Sequence, residues 1–484
     1  MSHWPRILRR IWTMLHHGSR RKARQLHRMS HRTLQFSLLL AGAAMVSFMS
    51  LGFARMVDLA LHWNATWIAR VPWAIWIALP LGMVCLRWAT LRFAPNAAGS
   101  GIPQVIASLS LPASSGRLKL VTLYESMWKV PLTFLGLVLG ASIGREGPSV
   151  QVGAALMLAW GRLCKKMGVP LTGVQTNELI ATGAAGGLAA AFNAPLAGVV
   201  FAIEELGRGT ALRWQRLVLL GVLAAGFIVV VFAGNNPYFG TFTGHALEHN
   251  MAGWVLLCGL VCGIGGGIFS WLLSKGAAAF APARWRDWLC RRPLHLAFFM
   301  GLILAALGLL THYTVFGTGY EVASSAMAGH SLESPSFGPA KLLATVVSYW
   351  AGIPGGIFTP ALTAGAGFGV ELYRWTGALA DQRVLVLLCM ASFLAAATQS
   401  PLTASVIVME MTGSQPMLVW LLIASLCASL VSRLFSPQPF YHYSAGRFRQ
   451  QVRESDIALA KTASAASPKI PPSGVEGKLV DSGP

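Results

Sequence analysis

An ionisable pair between two apolar runs, Gly144-Arg145-Glu146-Gly147-Pro148, constrains this chain more than any other stretch. Val130–Ile143 before it and Val150–Trp160 after it carry no charge. Charged side chains at membrane depth are costly, so they mark function by default. Glycine lets the backbone leave helical geometry. Pro148 suits the first turn of a new helix, where a missing N–H costs nothing. The stretch therefore reads as a helix that breaks at Gly144 and restarts near Pro148. Such a restart aims free N–H groups and partial positive charge into the membrane interior, which is an anion site. The alternative is a solvated loop between two spans, with Arg145 and Glu146 in water.

Composition places the chain in a membrane. Of 484 residues, 54% are hydrophobic and 11% charged, against roughly a quarter charged in soluble domains. The net charge of +21 could suggest nucleic acid, but its distribution does not. The first 34 residues hold nine Lys/Arg and no acid, directly before the first apolar run. The positive-inside rule reads residues 1–34 as a basic cytosolic tail, with anionic lipid as a secondary contact. It is too long and basic for a secretory signal. The seven cysteines show no metal-ligand spacing. Cys258 and Cys262, one helical turn apart in an apolar span, read as packing.

Apolar runs lie at 36–53, 72–86, 118–143, 177–206, 215–234, 252–274, 295–311, 384–397, 401–411 and 417–432, with polar loops at 235–251 and 312–338. Many are shorter than the roughly 20 residues of a straight crossing, which predicts tilted and broken helices. Residues 446–484 turn polar and read as a disordered cytosolic tail. An internal repeat is visible. Leu188–Leu196 resembles Leu394–Leu402, and at the same offset Glu204 falls on Glu410. Gly144, Pro148 and Gly153 fall on Gly356, Pro360 and Gly365 at an offset of 212. Two homologous halves, roughly 35–235 and 250–445, each with a broken helix at the matching place, point to a transporter whose site lies between them. The sequence does not show whether the halves are inverted.

Gly99-Ser100-Gly101-Ile102-Pro103, Gly144-Arg145-Glu146-Gly147-Pro148 and Gly356-Ile357-Phe358-Thr359-Pro360 stand in the order and spacing of the signature loops of CLC chloride channels and chloride/proton antiporters. Asn193-Ala194-Pro195-Leu196-Ala197-Gly198, followed by Glu204-Glu205, resembles that family too. The resemblance spans about 95–445. It implies an all-α polytopic membrane protein of two inverted halves, forming a homodimer with one pathway per subunit. It also implies chloride and protons as substrates, with no cofactor. Carried over by residue, it implies chloride held by Ser100, the amides of Ile357 and Phe358, and Tyr441, with Tyr443 as a less well matched alternative. It implies Glu146 as a gate and Glu205 as an inner proton glutamate. Channel members carry an apolar residue at the position of Glu205, so its presence favours antiport.

The chemistry of each residue agrees with this. Conduction requires anion binding weak enough to release, which amides and hydroxyls supply and full charges do not. Ser100 between glycines is otherwise an ordinary turn residue. An ionised Glu146 would compete with chloride for the same N–H groups; protonated, it would release them. Pairing with Arg145 is the alternative, but adjacent helical residues do not face each other. Glu204 and Glu205 could equally be solvated surface carboxylates. Lys129, in apolar sequence, reads as electrostatic support, with Glu125 four residues earlier as a candidate partner. Glu410 reads as structural or interfacial. Gln104 replaces a glutamate of many relatives and is expected to alter the charge of an outer vestibule. Tyr349-Trp350 also departs from the family pattern before the third loop.

These features predict a chloride/proton antiporter in a bacterial inner membrane, both termini cytoplasmic. A passive chloride channel is the nearest rival and a fluoride exporter a more distant one. An intramembrane enzyme would need a nucleophile–base or metal cluster at membrane depth, and no His/Cys grouping in the apolar runs supports one.

Overall fold

The computed structural model describes residues 4–168, 174–210, 216–242, 244, 250–332, 334 and 336–466. Helices dominate them, beginning with α1 (Trp4–Arg70), α2 (Ile75–Phe93), α3 (Ile102–Ser110) and α4 (Ser115–Lys119). Next come α5 (Leu123–Val138), α6 (Glu146–Lys166), α7 (Thr176–Phe192), α8 (Pro195–Phe201) and α9 (Arg216–Ala233). The second half holds α10 (Met251–Lys275), α11 (Ala283–Arg291), α12 (Pro293–Leu310), α13 (Tyr320–Met327) and α14 (Phe337–Trp350). It ends with α15 (Phe358–Trp375), α16 (Gln382–Thr398), α17 (Pro401–Thr412), α18 (Leu418–Ser432) and α19 (Phe440–Ala466). Among the described residues, five helical segments have the length and hydropathy of a full crossing. The others are shorter, as the fragmentary apolar runs require.

Several boundaries differ from the sequence expectation. The first span does not end near Arg55. No Gly or Pro breaks α1 before Val71-Pro72, where the residue preceding proline is driven out of helical geometry. The run 177–206 is two helices, because Asn193 adopts a left-handed conformation (φ 53°) and Pro195 opens α8. The helix before the opening motif ends at Val138, and Gly140 (φ 97°) makes the break earlier than Gly144. The polar stretch 312–338 contains α13. Residues 446–466 are helical rather than disordered. They dock on the α3–α4 corner, where Val452 is buried and Arg449 donates to Ser110 Oγ at 3.4 Å. Residues 467–484 lie outside the described part, as do the side chains of residues 1–32 in the basic N-terminal segment.

The repeat shows itself as reciprocal contacts. Glu204 accepts from the amides of Leu402 and Thr403, at 3.2 and 2.6 Å. Glu410 accepts from those of Leu196 and Ala197, at 3.2 and 2.7 Å. Each carboxylate thus caps the other half's helix start, and every pair obeys the same offset. Reciprocity of this kind is the signature of a two-fold axis. The C-terminal end of α8 meets the start of α17 and vice versa, so the equivalent helices run antiparallel. For helices inclined to the membrane plane, an axis along the membrane normal would keep both pointing to the same face, so antiparallel partners mark inverted halves. Gly144 and Gly356 sit on it, exchanging backbone hydrogen bonds of 2.8 and 2.7 Å.

Small residues make this packing possible, as in membrane helix pairs generally. A Cβ on Gly153 of α6 would run into the carbonyl oxygen of Gly183 on α7, and one on Gly183 into that of Gly153. In the second half, a Cβ on Gly365 of α15 would stand 2.5 Å from the carbonyl oxygen of Cys389 on α16. Both partners are backbone and cannot yield. Gly153→Ala and Gly365→Ala should each destabilise by about 1–3 kcal/mol, the usual cost of overpacking. Gly52→Ala, with nothing within 4 Å, should not destabilise. Thermal unfolding in detergent checks the contrast.

Candidate functional site

Three glycine-bearing loops meet at one point. Gly99 N–H donates to Ile353 O and Gly355 N–H to Gly99 O, both at 3.1 Å. The Gly144–Gly356 pair joins the second loop to the third. Side chains at these glycines would jam the junction. A Cβ on Gly147 would run into Ser100 Oγ, and one on Gly356 would lie 3.0 Å from Gly147 N. Gly99 (φ 71°) and Gly101 (φ 108°) hold left-handed backbone that places Ser100 between them. From this junction three helices start: α3 after Gly101, α6 at Glu146 and α15 at Phe358. Their first amides lack partners within the helix and carry the partial positive ends of the dipoles.

Ser100, Glu146, Ile357, Phe358 and Tyr441 are all buried here. The Phe358 and Tyr441 rings stack with centroids 5.8 Å apart and planes 13° from parallel. The Tyr441 hydroxyl faces Ser100 Oγ, yet neither makes a well-formed hydrogen bond among the described residues. Both carboxylate oxygens of Glu146 are likewise buried without a donor. That side chain folds back over Gly144, against Pro360. Buried hydroxyls and a buried carboxylate without partners are rare and call for a cause. Such hydroxyls can donate to an anion, and the carboxylate beside them can compete with one for the same donors. Tyr443 is exposed.

Arg145 does not pair with Glu146. Its guanidinium donates to Ala191 O at 3.2 Å and lies 5.5 Å over the Tyr238 ring. Lys129 is fully buried beneath the first loop and donates to Gln151 Oε1 at 2.6 Å. Its expected partner Glu125 is engaged elsewhere, accepting from the Asn96 amide at 2.9 Å, so that pairing is corrected. Gln104 does not line a vestibule. It is fully buried, and its amide donates to the carbonyls of Asn96 and Ala98, a task for a donor that an ionised glutamate cannot perform. Tyr349 packs against Gly99 and Phe440, while Trp350 donates to Leu272 O at 3.1 Å.

Glu204 and Glu205 lie in a π-helical turn, Ala202–Leu206, that continues α8. The turn separates their roles. Glu204 caps α17 as above, whereas Glu205 is 1% exposed and accepts a hydrogen bond from Ser400 Oγ. Neither is a solvated surface carboxylate. Sequence reasoning missed Ser400, Gln151 and His442. Ser400 could have been found, because it immediately precedes Pro401 in the second copy of the repeat.

Residues 82–433 match the family described as voltage gated chloride channel. The H(+)/Cl(-) exchange transporter ClcA of Vibrio cholerae serotype O1 (strain M66-2) is 31% identical over 389 residues, covering 76% of this chain and 78% of that protein. The protein of the same name from Yersinia pestis bv. Antiqua (strain Angola) is 29% identical over 395 residues, covering 76% and 77%. Among solved structures, a slow cyanobacterial Cl-/H+ antiporter superposes with a TM-score of 0.72 at 26% identity, covering 86% of this chain and 98% of that one. A CLC-type fluoride/proton antiporter shares the fold, with a TM-score of 0.67 at 21% identity over 84% of this chain and 97% of that one. A family match across most of the chain, relatives near 30% identity along three quarters of it, and inverted halves meeting at glycine loops agree: this chain belongs to the voltage gated chloride channel family, the CLC proteins.

Proposed function

We propose that this membrane protein exchanges chloride for protons, with the glycine-loop junction as the anion site. The observation that carries this is the burial, at one point, of three helix starts, the Ser100 and Tyr441 hydroxyls and the unpartnered Glu146 carboxylate. Amides of Ile357 and Phe358 and the two hydroxyls offer partial positive charge without a full cation, so chloride is held and released. An ionised Glu146 occupies the same donors as a tethered anion. Protonation neutralises it and frees them, so one proton and one anion alternate at the site. Lys129 and Arg145 shape the local potential, and Gly147 permits the close approach of Ser100. Glu205, buried against Ser400, takes the proton onward.

The exchange transporters at about 30% identity support antiport over the passive channel, as does Glu205 itself. A fluoride carrier shares only the fold, and Ser100 and Tyr441 are of the chloride type. With transporters as its relatives, the chain is read as a carrier and not an enzyme. A homodimer with one pathway per subunit, a bacterial inner membrane and cytoplasmic termini complete the proposal.

In proteoliposomes, an imposed chloride gradient should drive protons uphill. Glu146→Ala should abolish the proton movement while chloride still flows; intact coupling would sink the gate. Glu205→Gln should likewise stop proton uptake but leave chloride flux, read by a chloride electrode beside a pH electrode. Ser100→Ala or Tyr441→Phe removes one donor to a charged ligand, worth about 1.5–3 kcal/mol. Calorimetry should then show chloride affinity lowered by about tenfold or more.

A further inference from the structure

We infer that His442 passes protons between the aqueous phase beside α19 and the buried carboxylate of Glu205, an inference that rests on the antiport reading. His442 follows Tyr441 on α19, one residue beyond the anion site. Its Nε2 stands 3.5 Å from Glu205 Oε1 and 3.2 Å from the Glu205 carbonyl oxygen. The side chain of Glu205 is 1% exposed and that of His442 15% exposed. The imidazole is thus interposed between a sealed acid and the surface.

The other carboxylate oxygen is already taken by Ser400 Oγ, which leaves Oε1 as the atom facing the ring. The groups around the imidazole come from three elements. Arg208 follows the π-turn and donates to Gln399 O at 3.1 Å. Glu204 is turned away toward the start of α17. On the ring's own helix, Arg449 donates to His442 O at 3.3 Å, and Tyr441 points back to the anion site. Neither guanidinium can carry protons at working pH. Histidine can, taking a proton on one ring nitrogen while giving one from the other.

The transfer balances without a further reactant. A proton from water adds to Nδ1, and the Nε2–H proton passes to Glu205 Oε1. The ring is left neutral with its hydrogen on Nδ1, and rotation or tautomer exchange resets it. Outward transfer runs in reverse. The π-turn contributes by placing Glu205 toward α19 while its neighbour Glu204 caps α17.

A purely structural histidine would only brace the Glu205 carbonyl, which an amide can do as well. His442→Gln keeps a donor but cannot titrate. Proton and chloride fluxes should therefore be followed in proteoliposomes across internal pH 5.5–7.5. We expect His442→Gln to lower proton flux about tenfold, to lower the proton-to-chloride ratio, and to flatten the dependence on internal pH. In His442→Ala, added imidazole should restore proton flux severalfold. Wild-type proton flux in His442→Gln at every pH, or equal loss of both fluxes with no imidazole rescue in His442→Ala, would overturn the relay alone. Absence of uphill proton movement in the wild type would remove the antiport reading and the relay with it.

Discussion

The two backbone hydrogen bonds exchanged by Gly144 and Gly356 join the two halves where their glycine loops meet. Backbone that leaves a helix inside a membrane must satisfy its polar groups within the protein. Here the broken ends of one half satisfy those of the other. The breaks are tolerated because they meet, and they meet because the residues at the junction have no side chains to hold them apart. Several helix starts converge there as a result, with first amides that have no partner inside their own helices.

The fold was legible in the sequence to the extent that it depends on glycine, proline and apolar length. The restart of a helix within Gly144-Pro148, the correspondence of Glu204 with Glu410 and the existence of two halves could all be read from spacing. Inversion could not, because an offset in sequence has no direction in space; the reciprocal caps supplied it. Helix ends without a breaker were misjudged. Charges at Arg55 and Asp58 do not stop a helix, and α1 runs on to Arg70. The polar stretch after Tyr443 looked disordered by composition, yet a partner surface on α3 and α4 gives it something to fold against.

Site residues divide in the same way. Ser100, Glu146, Ile357, Phe358 and Tyr441, named from the sequence, come together at one buried point. Lys129 lies under the first loop beside them, but its partner differs from the expected one, since a helix-neighbour rule selects Glu125 while the chain folds Gln151 under the loop. Ser400 is marked in the sequence only by its place before Pro401 in the repeat, and His442 by nothing; their contacts with Glu205 appear in the fold.

The reciprocal caps have one more consequence. Glu204 and Glu410 do the same work in mirror-like positions, but the next residue is Glu205 in one copy and Met411 in the other, and the helix starts themselves differ, Glu146 against Phe358. A duplicated scaffold left chemically identical would read the same from either face of the bilayer. Placing both acids on a single copy, with a thioether and an aromatic ring standing opposite, gives an otherwise even-handed frame its sense of inside and outside.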